Sequence, residues 1–174
     1  MNHLLETNRL ILRRFQKKDL QDLYEYLSNP IVVAYEPYPP MTQEQAQEAL
    51  LWRISTEEMI AVELKATGKL IGNVYLGKQD FEALELGYVF HDAYWHQGYA
   101  LESCRALIAQ AFQAGVHRIT AQCDPANTPS WKLLERLGFA REGYLRKNVY
   151  FRTDPQGVPL WQDTYLYALL NPDR

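Results

Sequence analysis

The sequence FHDAYWHQGYA, residues 90–100, carries the strongest structural signal in the chain. It follows a strand-like run at 84–90 and precedes a run that starts at Leu101 and repeats apolar residues at helical spacing. The first amides of a helix have no intrahelical partner and carry a partial positive charge. Gly98 lets a ligand approach the backbone closely. The segment therefore predicts a strand, a short turn and a helix whose N-terminus can hold a pyrophosphate.

Taken alone, this segment is more typical of an ordinary turn between a strand and a helix than of a ligand site. It has neither the GxxxxGKS/T pattern of a nucleotide P-loop nor the GxGxxG pattern of a dinucleotide-binding fold. A second segment strengthens the interpretation as a ligand-binding turn. NTPSWKLLERLGF, residues 127–139, follows a predicted strand at 118–123, with Thr128 as the expected N-cap, Pro129 as the first helical residue and Gly138 as the stop.

The remaining patterns complete a mixed α/β chain. Further strands are predicted at 10–12, 60–64, 70–76, 139–147 and 164–170, and Gly68 indicates a hairpin between the second and third of these. One helix is expected after Asp19 and another after the capping box formed by Thr42 and Gln45. The apolar residues expected to be buried by this second helix are Ala46, Ala49, Leu50 and Ile54.

Composition limits the class of protein. A length of 174 residues suits a single domain spanning 1–174, and a net charge of −3 argues against nucleic-acid binding. No signal peptide and no membrane-spanning run are expected, which favours a cytoplasmic protein without a membrane partner. Cys104 and Cys123 lack the spacing of a metal site or a disulfide framework, so no metal is expected.

The two segments together resemble the GNAT superfamily of N-acetyltransferases, and more narrowly its RimJ/RimL-like branch. The opening phrase ETNRLILR at 6–13, the Trp-x-x-Gly-Tyr-Ala turn and the Asn-x-x-Ser…Leu-Gly-Phe helix occur in the order typical of that branch. The resemblance implies the GNAT acyl-CoA N-acyltransferase fold, an α/β (α+β mixed) architecture. Its central mixed, mostly antiparallel sheet is splayed between two parallel strands, here 84–90 and 118–123, and flanked by helices.

The resemblance also implies where acetyl-CoA, the acetyl donor, is held. Its pantetheine arm is expected along the backbone of Val89 and Phe90. Asn127 and Ser130 are expected to line the other side of the gap. The pyrophosphate is expected on the amides of the turn, whose residues are Trp95, His96, Gln97, Gly98, Tyr99 and Ala100. Trp95 stands where the superfamily usually has Gln or Arg, so phosphate binding should rest on backbone amides. His96 is interpreted equally as a phosphate neighbour and as a solvated loop residue.

Family chemistry is direct attack of an amine on the thioester, and it requires a base, an oxyanion donor and an acid. Glu85 is the first candidate base and Glu142 the second, although carboxylates on strands are often only solvated. A backbone N–H at Val89 or Phe90 can meet the oxyanion. Ser130 is the predicted proton donor to the departing thiolate; its alternative role is to satisfy free amides at the start of its helix.

The acceptor is a primary amine that the sequence does not identify. Peptide or protein N-termini, polyamines, antibiotics and amino acids all remain open, and Tyr35 and Tyr38 are interpreted as a possible acceptor-side wall. An inactive coenzyme A-binding sensor is the alternative function, and a plain interaction module would leave both motifs unexplained. A monomer and a homodimer are both open, since the tyrosine-rich run at 165–167 could pair at a sheet edge.

Overall fold

The computed structural model describes residues 3–173, whose strands form one eight-stranded sheet. The strands are β1 (His3–Glu6), β2 (Leu10–Arg13), β3 (Met59–Leu64), β4 (Lys69–Gln79), β5 (Ala83–Phe90), β6 (Arg118–Cys123), β7 (Ala140–Val149) and β8 (Gln162–Leu170). Their order in the sheet is β1-β2-β3-β4-β5-β6-β8-β7. The helices are α1 (Leu20–Leu27), α2 (Gln43–Ser55), α3 (Tyr99–Gln113) and α4 (Thr128–Arg136). Among the described strands only β5 and β6 pair in parallel, which confirms the predicted mixed sheet.

The sheet is splayed between β5 and β6. Their pairing joins Ala83–Leu86 to Arg118–Ala121 and then stops, although both strands continue. On one side of the sheet, residues of α3 and α4 pack in a core cluster that includes Phe90. On the other side, residues of α1 and α2 pack in a second cluster, against which Val89 is packed. The end of β5 therefore lies at an opening in the sheet, with one pair of helices on each side of it.

The glycine stops at the ends of α3 and α4 are confirmed. Gly115 and Gly138 have φ angles of 92° and 95°, a region that side chains rarely adopt. Beyond each glycine, an amide turns back to a carbonyl of the last helical turn, Val116 N to Ala111 O at 3.1 Å and Phe139 N to Leu134 O at 3.0 Å. This is the usual left-handed termination of a helix.

The predicted inner face of α2 was partly wrong. Ala46 and Leu50 are buried, but Ala49 is only half-buried and Ile54 is 38% exposed, while Arg53 is buried. Successive residues of a helix turn by about 100°. Viewed down the helix axis, Arg53 therefore lies about 20° from the buried Ala46, whereas Ile54 lies about 80° from it. Helix geometry therefore places the charged residue inside and the apolar one at the margin.

Four other expectations need adjustment. β1 was not predicted at all, and α4 begins at Thr128 with Asn127 as its N-cap, one residue earlier than expected. Residues 165–167 do not lie at a sheet edge, because β8 pairs with β6 on one side and β7 on the other. Asp19 is the N-cap residue of α1, but its carboxylate makes no cap hydrogen bond. It instead pairs with the buried guanidinium of Arg13 at 2.7 Å.

Within residues 3–173, no helix combines the length and the apolar character needed to cross a membrane.

Candidate active site

A large cavity occupies the opening between β5 and β6. Its volume is about 1350 Å³, above the roughly 300–1,000 Å³ of a pocket for one small ligand. Because Phe90 belongs to the α3/α4 side and Val89 to the α1/α2 side, the cavity runs through the sheet. We call its two ends the turn-side mouth, formed by Trp95–Ala100, and the loop-side mouth, formed by Tyr35–Pro37 of the α1–α2 connection. The cavity is therefore lined by residues from both sides of the sheet.

The turn-side mouth presents free backbone amides. Gly98 is the N-cap of α3 with φ 80° and makes no side-chain cap hydrogen bond. The first intrahelical bond runs from Glu102 N to Gly98 O at 2.9 Å, so the amides of residues 99–101 have no partner within the helix. His96 also has a positive φ, 59°, and strained backbone of this kind clusters at ligand sites. The turn fits a pyrophosphate held by backbone groups.

An ion pair outside the turn holds it in place. The Arg9 guanidinium donates to Glu102 at 2.7 Å and to the Gln97 carbonyl at 2.9 Å, and it lies 4.2 Å from the Tyr99 ring centroid. Burial would raise the pKa of Glu102, but hydrogen bonds from Thr7 and Arg9 outweigh it and lower that pKa. The opening phrase of the sequence therefore has a structural role: Thr7 and Arg9, in the connection between β1 and β2, hold the turn in place.

The backbone of β5 alternates in direction, and this decides which groups face the cavity. The His91 amide donates to Ile71 O on β4 at 2.9 Å, and the β4–β5 register is regular from Phe90 to Ala83. By the antiparallel pattern, Val89 also bonds to β4, whereas Tyr88 and Phe90 face β6. Of the two predicted oxyanion donors, the Phe90 amide therefore faces the gap and the Val89 amide faces β4, and the role itself stays a prediction.

Trp95 has a role that the sequence did not indicate. Its indole N–H donates to the Phe90 carbonyl at 2.8 Å, which occupies the acceptor of that residue at the gap and leaves its amide as the free group. The side chain thus anchors the turn to the end of β5.

Ser130 lies in the cavity wall beside a second hydroxyl group. Its Oγ is 3.0 Å from the Tyr88 phenol oxygen, and both residues line the cavity. Burial raises the pKa of Tyr88 far above its usual range, so the phenol stays protonated. Burial also raises the pKa of the neighbouring Cys123 thiol to about 11, with a smaller lowering from its hydrogen bond to Ser130. Asn127 lines the same wall, and its side chain makes no hydrogen bond to its own helix.

The two predicted bases lie outside the cavity wall. Glu85 is in the part of β5 still paired with β6, and its carboxylate accepts from Gln122 at 3.2 Å and from Gln79 at 3.4 Å. Glu142 lies in an irregular part of β7 and forms a bidentate pair with Arg118, which lowers the pKa of that carboxyl. The structure therefore does not bring either carboxylate to Ser130.

At the loop-side mouth the cavity is lined by a carboxylate that the sequence reasoning missed, Glu36. Its neighbour Tyr35 also lines the cavity and donates to the Ala126 carbonyl at 3.2 Å, across the opening. Tyr38 lies behind this wall, packed against the second core cluster. The only sequence signal for Glu36 was its position in a proline-rich loop between two tyrosines. Among residues 3–173, no group of three or more His, Cys, Asp or Glu side chains is arranged to hold a metal ion.

A sheet split between two parallel strands, with a helix N-terminus at one mouth and a second mouth for another ligand, defines an acyltransferase that uses an acyl-CoA. Residues 9–140 match the family model described as the Acetyltransferase (GNAT) domain. The chain therefore belongs to the GNAT acetyltransferase family, and it is an N-acetyltransferase that uses acetyl-CoA.

Three relatives illustrate the likeness. The uncharacterized N-acetyltransferase YnaD of Bacillus subtilis (strain 168) is 34% identical over 97% of this chain and 98% of its own. The crystal structure of a GNAT-family acetyltransferase from Bacillus anthracis matches with a TM-score of 0.86 at 33% identity, over 96% of this chain and 98% of that one. The ribosomal protein uS5-alanine N-acetyltransferase of Escherichia coli (strain K12) is 37% identical, over 53% of this chain and 45% of its own.

Proposed function

We propose that the protein transfers the acetyl group of acetyl-CoA to a primary amine by direct attack while both substrates are bound. The acceptor is the N-terminal amine of a peptide or protein, or a small-molecule amine, in the manner of the RimJ/RimL-like branch. The observation that carries the proposal is the cavity through the sheet, which is large enough for two ligands and has free amides at one end and a carboxylate at the other. The uS5-alanine enzyme supports a peptide N-terminus as the first acceptor to test.

The chain's own groups supply three contributions. The amides of residues 99–101 hold the pyrophosphate, and the Phe90 amide stabilises the negative charge that develops on the carbonyl oxygen. Such a donor is fixed before the reaction and needs no reorganisation. Ser130, hydrogen-bonded to the Tyr88 phenol, returns a proton to the departing thiolate. Acetyl-CoA supplies the thioester whose acyl group is transferred.

The role of base stays a prediction for Glu85 and Glu142. Their fixed partners, Gln122 and Gln79 for the first and Arg118 for the second, argue for a structural contribution. The Glu85→Gln and Glu142→Gln variants compare the two candidates directly, since removing a true base should lower turnover by about a hundredfold or more.

The test is free-thiol release from acetyl-CoA across a panel of amines that includes short peptides with different N-terminal residues, polyamines and lysine derivatives. Acceptor-dependent release is expected, together with a rise in melting temperature when acetyl-CoA is added. Stabilisation without release for any amine would favour a coenzyme A-binding sensor. If neither is observed, the turn-side mouth does not bind acetyl-CoA.

Ser130→Ala supplies a second arm of this experiment. A thiolate with a reference pKa near 8.5 needs little help from an acid, so turnover should fall by only about three- to tenfold while acetyl-CoA affinity is unchanged. Thr128→Ala, in the same first turn of α4, is the control. Full turnover in Ser130→Ala would remove the acid role.

A further inference from the structure

Glu36 lies in a loop that is fixed from several directions. Its amide donates to Val33 O at 3.1 Å within the loop. The Tyr35 phenol bonds across the cavity to Ala126 O, and Arg152 of the β7–β8 connection donates to Ala34 O at 3.2 Å. The loop is thus attached to both flanking connections at the loop-side mouth. A half-buried carboxylate on such a loop has a defined position in the cavity wall.

Behind Glu36 lies a buried polar cluster that controls its charge. The Tyr38 phenol lies close enough to the Glu36 carboxylate and to the Arg53 guanidinium to influence the charge of both Glu36 and itself. Arg53 is 6% exposed; one of its terminal nitrogens donates to Ala49 O at 3.1 Å, but its Nε has no hydrogen-bond partner among residues 3–173. A buried cation that makes so few contacts stabilises an anion nearby. The charged or titratable groups around Glu36 are Tyr35 and Tyr38 on its own loop, Arg152 of the β7–β8 connection, Arg53 on α2 and, beyond them, Tyr26 on α1.

The balance of these effects leaves Glu36 suited to accept a proton. Burial raises the pKa of Glu36 to about 7. The neighbouring Tyr38 phenol and the positive charge of Arg53 lower this pKa, but by less than burial raises it. A group with a pKa near the working pH is an efficient general base, because it is largely ionised yet holds a proton well.

The other two carboxylates in the cavity wall are already engaged. Asp124 accepts from Ala126 N at 2.7 Å and from the Gln162 side chain at 3.1 Å. Asp163 accepts from the Tyr144 phenol and from Lys147 N, and these hydrogen bonds lower its pKa. Glu36 is therefore the carboxylate of the cavity wall whose surroundings favour proton uptake.

We propose that Glu36 is the catalytic base at the loop-side mouth and that Tyr38 and Arg53 position it; the inference rests on the proposed acetyl transfer. The amine nitrogen forms the C–N bond as the C–S bond breaks. Glu36 takes the proton that the nitrogen loses, and the thiolate receives one from the Ser130–Tyr88 pair. Solvent then returns both groups to their starting states. The products are the N-acetylated amine and free coenzyme A.

This role also defines the class of acceptor. Only the neutral amine attacks, and at neutral pH an α-amine of pKa 7.7–8.0 is neutral in a much larger fraction of molecules than a lysine-type amine of pKa about 10.4, so that Glu36 has only the proton lost on attack to accept. Amines of low basicity, above all peptide N-termini, are therefore the preferred substrates. Polyamines and lysine side chains are disfavoured.

The test compares kcat between pH 6 and 9 for the full-length chain and its variants, with the best peptide of the amine panel and with Nα-acetyl-lysine. The unaltered protein should lose activity below pH 7 and prefer the peptide. Glu36→Gln should lower kcat by about a hundredfold, abolish the inflection near pH 7 and leave acetyl-CoA stabilisation intact. Glu48→Gln, an exposed glutamate on α2, should behave as the unaltered protein does.

Tyr38→Phe gives a second readout that a purely structural role would not move. Because the neighbouring Tyr38 phenol lowers the pKa of Glu36, removing its hydroxyl should shift the inflection to higher pH, whereas Glu36→Asp should restore part of the kcat lost in Glu36→Gln.

Each contrary result has a distinct meaning. A raised KM with unchanged kcat in Glu36→Gln would show that Glu36 only binds the ammonium group, and loss of the inflection in Glu85→Gln instead would assign the base to that residue; either overturns the proposal. If the unaltered protein releases no thiol with any amine, the proposed function fails, and this role with it.

Discussion

The two mouths of the cavity are built from different kinds of groups. The turn-side mouth presents backbone amides that the fold itself orients, and side chains such as Arg9 and Trp95 only brace them. The loop-side mouth presents side chains, chiefly those of Glu36 and Tyr35, on a connection between two helices. A backbone site needs few specific residues, whereas a side-chain site depends on every neighbour. The backbone site can therefore stay constant while substitutions in the side-chain site change which substrate is accepted.

The largest expected effect separates the stability of the α1/α2 layer from the turn-side mouth. Arg13 and Asp19 form a buried pair, with side chains 5% and 2% exposed. Asp19→Ala should lower the free energy of unfolding by about 3 kcal/mol, because it removes two charge-assisted hydrogen bonds from the buried Arg13 guanidinium, which then keeps only Glu63 and the Arg14 carbonyl as partners. Urea denaturation measures this. Acetyl-CoA should still raise the melting temperature, since the turn is untouched.

Glu57→Ala is the matched control for that change. Glu57 is 88% exposed and lies 3.8 Å from Arg14, so its removal should change stability by less than about 0.5 kcal/mol. Equal losses in the two variants would contradict the importance of the buried pair.

The second effect tests the backbone nature of the turn-side mouth. Gly98 has φ 80°, and a Cβ there would lie 3.4 Å from the Arg9 guanidinium. Gly98→Val should strain the turn by about 1–2 kcal/mol and weaken acetyl-CoA binding by about tenfold, measured by calorimetry. A β-branched side chain is the least tolerated at such an angle.

Gly68→Val separates strain from ligand binding. Gly68 has φ 70° in the β3–β4 hairpin, and a Cβ there would meet nothing within 4 Å. It should lower the melting temperature to a similar extent yet leave acetyl-CoA affinity unchanged. A wild-type affinity in Gly98→Val would mean that the ligand does not approach this turn.

The smallest effect is expected at the loop-side mouth. Tyr35→Phe removes the hydrogen bond to Ala126 O that joins the loop to the opposite wall, worth about 1 kcal/mol. The KM for the acceptor should rise about three- to fivefold while acetyl-CoA affinity stays constant. Tyr24→Phe, on α1 and outside the cavity wall, serves as the comparison. A loss of acetyl-CoA affinity would show that the two mouths are not independent.

The same contrast explains what the sequence could predict. The parallel strands, the turn at Gly98 and the Ser130 helix were recognised because their signals are local: a glycine with positive φ, a helix start, a strand before it. The wall residues Asn127 and Ser130 follow from the same motifs. The Trp95 anchor was missed, since its partner is a carbonyl five residues away whose direction depends on the pairing of β5 with β4.

The base is the clearest case of missing tertiary information. Glu85 was favoured because it lies on the splayed strand, but strand position alone does not show that its carboxylate is held by Gln122 beyond the cavity wall. Glu36 depends on Arg53, and the sequence interpretation put Ile54 rather than Arg53 on the inner face of α2. Once that face was assigned by hydrophobicity, the charge behind the loop could not be anticipated.

The opening through the sheet has a consequence for the order in which substrates bind and products leave. Since each face of the protein has its own entrance, neither substrate has to pass the other, and neither product has to wait behind the other to leave. Acetyl-CoA and the amine could then arrive in either order, and coenzyme A could depart while the acetylated product is still bound.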